Sequence, residues 1–197
     1  INRHSSDIFD DNDFEKEEKV YVEPKEWTII TALDRVLDRA RGSELSDEFW
    51  SSAKNPLAYL RERLELTDIQ IVLVAIMAEA GEPLSWRKFG NFLHSSRLST
   101  MCYSEEIEEL LAKRWVIRRG THEMGGCFEG FALEHGVVTA LRHNKTFVPE
   151  KLDGFNEQQF MDKLESHLDK NLNNRNASFE DDEIWMQQLV EANPHLP

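Results

Sequence analysis

Ser104-Glu105-Glu106-Ile107-Glu108-Glu109-Leu110-Leu111-Ala112-Lys113-Arg114 runs straight into Trp115-Val116-Ile117-Arg118-Arg119, and the change of period between the two decides the fold. Ile107, Leu110 and Leu111 recur at helical spacing, whereas the run from Trp115 is aromatic and β-branched, as a strand requires. A second strand reads at Cys127-Phe128-Glu129-Gly130-Phe131-Ala132-Leu133. Gly120 to Gly126 forms the hairpin loop between them, with Gly125-Gly126 supplying positive φ. Alternation along the second strand turns Cys127 inward as a small core residue.

Upstream of the quoted stretch, Ile69, Ile71, Val72, Leu73, Val74, Ile76 and Met77 cover most of a helix circumference. Thr67 caps that helix and Gly81 stops it, so it is buried on more than one side. Ser85 opens a second helix with Trp86, Phe89, Phe92 and Leu93 on one face. Ser95 to Thr100 is the turn, and Ser104 caps the third helix. Three helices and then a hairpin make the fold mostly α (α+β), with a winged helix-turn-helix core, a β-hairpin wing and additional N- and C-terminal helices. The expected division is 1–23 as an acidic flexible arm, 24–66 as N-terminal helices packing on the core, 67–143 as the winged-helix domain and 144–197 as C-terminal helices.

Within the flanks, Trp27 to Ala40 is amphipathic and Gly42 follows as its stop. Pro56 opens a helix that runs on to Leu64. Val137 to Arg142 is a short helix, and Phe155, Phe160, Leu164 and Leu168 mark another. Ser178 caps a last one carrying Ile184, Trp185, Leu189 and Val190.

Charge narrows the function. The 197 residues carry a net charge of −14. Residues 1–26 hold nine acids against four bases and residues 145–197 eleven against five, so the flanks are acidic and the middle near neutral. The third helix places four glutamates within Glu105 to Glu109. In a DNA reader that helix lies in the major groove, against a polyanion with one charge per ~1.7 Å of axis. Base reading would also need arginine, asparagine or glutamine there. Arg87, Lys88, Arg97, Arg118 and Arg119 are the candidate nucleic-acid-binding residues of the alternative reading, a winged-helix DNA-binding transcriptional regulator. The plainer reading pairs Arg118 and Arg119 with the acids of the third helix. His122 and Met124 at the wing tip, with Glu105 and Glu109, are the candidate partner-binding residues.

The chain lacks G-x-S-x-G and H-E-x-x-H, and it has neither G-x-x-x-x-G-K-[ST] nor G-x-G-x-x-G, so no catalytic residue and no cofactor is expected within it. His122, Cys127, His135 and His143, with Cys102 and Glu123 nearby, match no compact zinc spacing, and no metal is expected. Cys102 and Cys127 are the only two cysteines, which points to a reducing cytoplasm rather than a disulfide framework. The apolar run from Ile69 to Ala78 is about half the ~20 residues a membrane span needs. No signal peptide is read at the amino end. The chain opens on Ile1 and closes on Asn193-Pro194-His195-Leu196-Pro197, both of which read as cut ends of a longer polypeptide.

Leu66 to Glu79 carries the spacing L-T-x-x-x-x-V-L-x-A-I-x-A-E, and Glu106 to Arg119 reads E-I-E-E-L-L-A-K-R-W-V-I-R-R. This order resembles the winged-helix class, in whose common theme a helix ends in L-x-x-x-G-L-I before the first wing strand. Trp115 stands here in place of the glycine-leucine step. Residues 55–197 are also similar to the region that precedes the ATPase module of large bacterial AAA-type ATPases, and Gln187 to Leu196 resembles the helix and N-P turn that lead into it. The resemblance implies a non-enzymatic protein-interaction or regulatory domain. ATP binding and hydrolysis would then lie beyond Pro197, in a module that is itself a candidate partner. It carries no functional residue onto this chain.

Overall fold

Eight consecutive residues from Gln70 to Met77 are buried, and four other elements pack closely against the helix that carries them. They belong to α4, Asp68–Ala80. The computed structural model describes residues 21–123, 125–172 and 179–197. The expected acidic arm over residues 1–23 therefore lies almost wholly outside the described residues, as do the Met124 contact and the Ser178 cap. The described chain is mostly helical, with one two-stranded antiparallel sheet among the described residues.

Three helices precede α4: α1 (Ile29–Ala40), α2 (Asp47–Ser52) and α3 (Lys54–Leu64). In α1, Ile29, Ala32, Leu33, Val36, Leu37 and Ala40 are buried along one stripe, and a reciprocal Thr28–Thr31 capping box closes its start. Pro56 is the third residue of α3 rather than its first, a position still within the turn where a missing N–H leaves no bond unmade. α1 packs on α3, α4 and α8, the last being His135–Arg142. One buried cluster runs unbroken from Ile29 to Leu141.

After α4 come α5 (Trp86–Leu93), a single turn α6 (Arg97–Thr100), a 3-10 turn (Met101–Tyr103) and α7 (Ser104–Ala112). α5 buries Trp86, Phe89 and Leu93 as the spacing requires. Two expectations change here. The segment from Ser95 to Thr100 is not a plain turn, because Ser96 caps α6 by accepting from the Ser99 N–H at 3.0 Å. Ser104 is not a cap either: it already has helical φ and ψ, since the chain arrives from the 3-10 turn in nearly helical conformation.

β1 (Val116–Glu123) and β2 (Gly126–Leu133) pair from Val116↔Leu133 to Glu123↔Gly126. The expected loop from Gly120 to Gly126 shrinks to two residues, with Gly125 at φ +78°, the conformation that two-residue hairpins demand. Cys127 is exposed rather than inward. It sits opposite His122, also exposed, near the tip of the hairpin. At the other end, Leu84 and Phe131 exchange both backbone bonds, at 2.8 and 2.9 Å. That exchange brings Pro83 so close to Gly130 that a Cβ there would stand 2.8 Å from the Arg119 carbonyl and 3.3 Å from Pro83.

α9 (Glu157–Leu172) and α10 (Phe179–Ala192) follow a connecting segment. α9 is the expected amphipathic helix but buries none of its residues fully, and in α10 Leu189 is buried whereas Val190 is exposed. The buried Asn193 ties the pair to the segment before it. Its amide donates to the carbonyls of Leu152 (2.6 Å) and Leu189 (2.8 Å), and its oxygen accepts from the Phe155 N–H (3.0 Å). Glu150 adds an ion pair to Lys163 and accepts from the Trp185 indole at 3.4 Å. Burial alone would raise the Glu150 carboxyl, but Lys163, the indole and Lys170 together hold it below the usual glutamate range.

Gly130→Ala should lower stability by about 1–3 kcal/mol in urea unfolding, and an unchanged midpoint would contradict the close approach of Pro83. Glu150 is depressed in the folded chain, so its contribution is complete above the ordinary glutamate range and fades as pH falls through and below it. Unfolding midpoints followed from about pH 6 to pH 3 should therefore drop less steeply in Glu150→Gln than in the parent.

Candidate functional site

The acidic third helix is built into the fold. Ile107 and Leu110 of α7 are buried against the core, which turns Glu106 and Glu109 toward the start of α4. There, Glu106 accepts from the Thr67 hydroxyl at 2.9 Å and Glu109 from the Gln70 side-chain amide at 2.6 Å. Thr67 and Gln70 are themselves the two halves of the α4 capping box. Two carboxylates thus sit at the positive end of the most buried helix, where a helix dipole favours them. Glu108 faces the hairpin and pairs with Arg118 at 2.5 Å, and Arg118 also pairs with Glu129 across the sheet. The hydrogen bond to Glu108, ahead of that to Glu129, pushes the Arg118 guanidinium still higher against the opposing effect of its partial burial.

The basic residues read from sequence therefore separate. Arg118 is held between two carboxylates, and Lys88 of α5 is paired with Glu82 at 2.8 Å. Arg87 is exposed on α5, and Arg119 is half-buried on β1. Arg97 is exposed on α6, and its side chain makes no hydrogen bond or ion pair among the described residues. These five do not form one continuous phosphate-facing set, because two of them are neutralised in place. Of the partner-binding candidates, Glu109 is committed to Gln70, while Glu105 and His122 are exposed. Met124 lies outside the described residues.

Two residues were not singled out by sequence reasoning. Leu98 is 80% exposed and Met101 39% exposed, three positions apart on the same turn and so on one face. Thr100 fixes this orientation. It is fully buried, and its hydroxyl sits 3.1 Å from the Trp86 carbonyl and 2.9 Å from that of Arg97. With Thr100 pointing in, Leu98 must point out. The available signal was the lone leucine within Ser95-Ser96-Arg97-Leu98-Ser99-Thr100.

No group of three or more metal-ligating side chains converges among the described residues. No described helix is long and apolar enough to cross a membrane. The chain matches no protein-family model, no curated protein and no solved structure.

Thr67→Ala removes both a cap and the donor to Glu106, and should cost about 1–2 kcal/mol in urea unfolding. Arg118→Ala breaks only half-exposed pairs and should stay within about 1 kcal/mol. The reverse ranking would place the organising contact at the hairpin instead of at α4.

Proposed function

We propose that this chain is a non-enzymatic protein-interaction or regulatory domain, a winged helix-turn-helix that forms the amino-terminal part of an AAA-type ATPase. The winged-helix reading draws support from the element order. The helices α4, α5 and α7 precede the hairpin, and the Leu84–Phe131 bridge adds a third short strand-like pairing before α5. Directly before Trp115, Arg114 holds φ +58°, a left-handed residue that separates α7 from β1.

The observation that carries the interaction reading is the Leu98–Met101 face beside Arg97. A large aliphatic side chain held in water by its own turn is suited to insertion into a partner, where its burial removes apolar surface from water. The neutralised Arg118 and the carboxylates of α7 weigh against a polyanion on the neighbouring surface. Fold alone does not choose between these roles, and the charges favour the protein-interaction reading. Arg97 is the one feature that favours the regulator reading, in which duplex DNA is the partner.

The two readings separate in solution. In fluorescence anisotropy against a random-sequence duplex at low salt, a winged-helix DNA binder gives nonspecific dissociation constants of about 10⁻⁴ to 10⁻⁶ M that weaken steeply with added salt. The expected result is no such binding. The reading frame beyond Pro197 should encode a phosphate-binding loop, and that module, supplied separately, should bind this chain. Leu98→Asp should weaken the contact by about tenfold or more. Salt-sensitive duplex binding, or a frame without the loop, would overturn the proposal.

A further inference from the structure

A cleft of about 610 Å³ opens between β1, α8 and α10, within the ~300–1,000 Å³ typical of small-molecule sites. Its apolar wall comes from Ile117 of β1, Val138 of α8, and Ile184 and Trp185 of α10. Trp185 is held from two sides. Its ring lies parallel to that of His167 at 3.7 Å, and its indole N–H donates to Glu150 at 3.4 Å. A flat ring already fixed in place offers an apolar body a contact surface at little further loss of side-chain freedom.

The charges around the cleft match in number. Glu82, Glu134 and Asp182 line it, as do Arg119 and Arg142, and Lys88 is paired with Glu82 at 2.8 Å. Histidines aside, three carboxylates stand with three cations. Neither sign is in excess, so a charged ligand gains no net attraction there to offset the water it gives up.

The polar group left over is uncharged. Gln188 of α10 lines the cleft, is half-buried, and its side-chain amide makes no hydrogen bond among the described residues. An amide presents a donor and an acceptor side by side. Small-molecule sites are mostly apolar, with a few such groups that fix the ligand's orientation.

We propose that this cleft binds a small uncharged compound with a flat apolar body and a lactam-like or amide-like edge. The body lies against Val138, Ile184 and Trp185, and the edge pairs with the Gln188 amide. The site does not involve the Leu98 face, so it stands or falls independently of the partner reading.

The neutral fluorescent probe N-phenyl-1-naphthylamine tests the cleft on the whole chain. It should bind saturably at one site, and Val138→Trp, which narrows the cleft, should weaken it by about tenfold or more. Ile30→Ser, at an exposed apolar position of α1, should not. Quinolin-2-one and its N-methyl derivative, which has lost the N–H donor, then compete with the probe. The lactam bearing the N–H should bind about threefold or more tightly than the derivative, and Gln188→Leu should remove that margin. Absence of saturable probe binding, or a loss in Val138→Trp no greater than in Ile30→Ser, would overturn the proposal. So would equal displacement by the two lactams in the unsubstituted chain, or a margin that persists in Gln188→Leu. Should Val138→Trp melt early, Val138→Phe replaces it under the same criterion.

Discussion

The constraint on which the rest of the structure depends is the removal of α4 from water. A helix buried from Gln70 to Met77 gains roughly 1.5–3 kcal/mol for each large aliphatic side chain it hides, but its first N–H groups still need partners. Thr67 and Gln70 provide two of them reciprocally. Gln70 is itself wholly buried, so its amide needs an acceptor in turn, and Glu109 provides it. The neighbouring helix is therefore acidic on the flank that approaches α4, and this requirement exists whatever the chain binds.

That changes what the glutamates mean. Read along the sequence, Glu105 to Glu109 is a block of negative charge that repels polyanions. In the fold it is two structural roles, filled by three side chains, and one side chain left in solvent. Glu106 and Glu109 complete the α4 terminus, Glu108 fixes the hairpin through Arg118, and Glu105 remains in solvent. The carboxylates keep their charge beside these partners, and Arg118, held by Glu108 and Glu129, is not free to meet an anion.

Much of this was legible from sequence, and the reasons are specific. The faces of α1, α4 and α5 followed from helical spacing, since each has one answer for which side must be dry. Thr67 and Gly81 marked the ends of α4 because caps depend on residues within one turn. What failed depended on longer range or on missing neighbours. Ser104 resembled a cap, but the helical turn begun at Ser96 had already ordered the chain before it. Cys127 had the right alternation for burial, yet it is the second residue of β2, opposite an equally exposed His122, and alternation does not reveal where the hairpin outruns the core. Leu98 was hidden because its orientation is set by Thr100 reaching Trp86, fourteen positions away. The cleft between β1, α8 and α10 joins side chains from Met77 to Gln188, a span over which no local pattern is informative.

Asn193 gives the carboxyl-terminal helices a mechanical property. Its three bonds, together with the contact from His195 to the Phe155 carbonyl at 2.8 Å, lash the end of α10 to the residues that lead into α9. The base of the helix pair is thereby a closed ring and not two loose strands of chain. A pull on His195 is therefore carried by these bonds to Phe155 and Leu152 as well as along the backbone of α10.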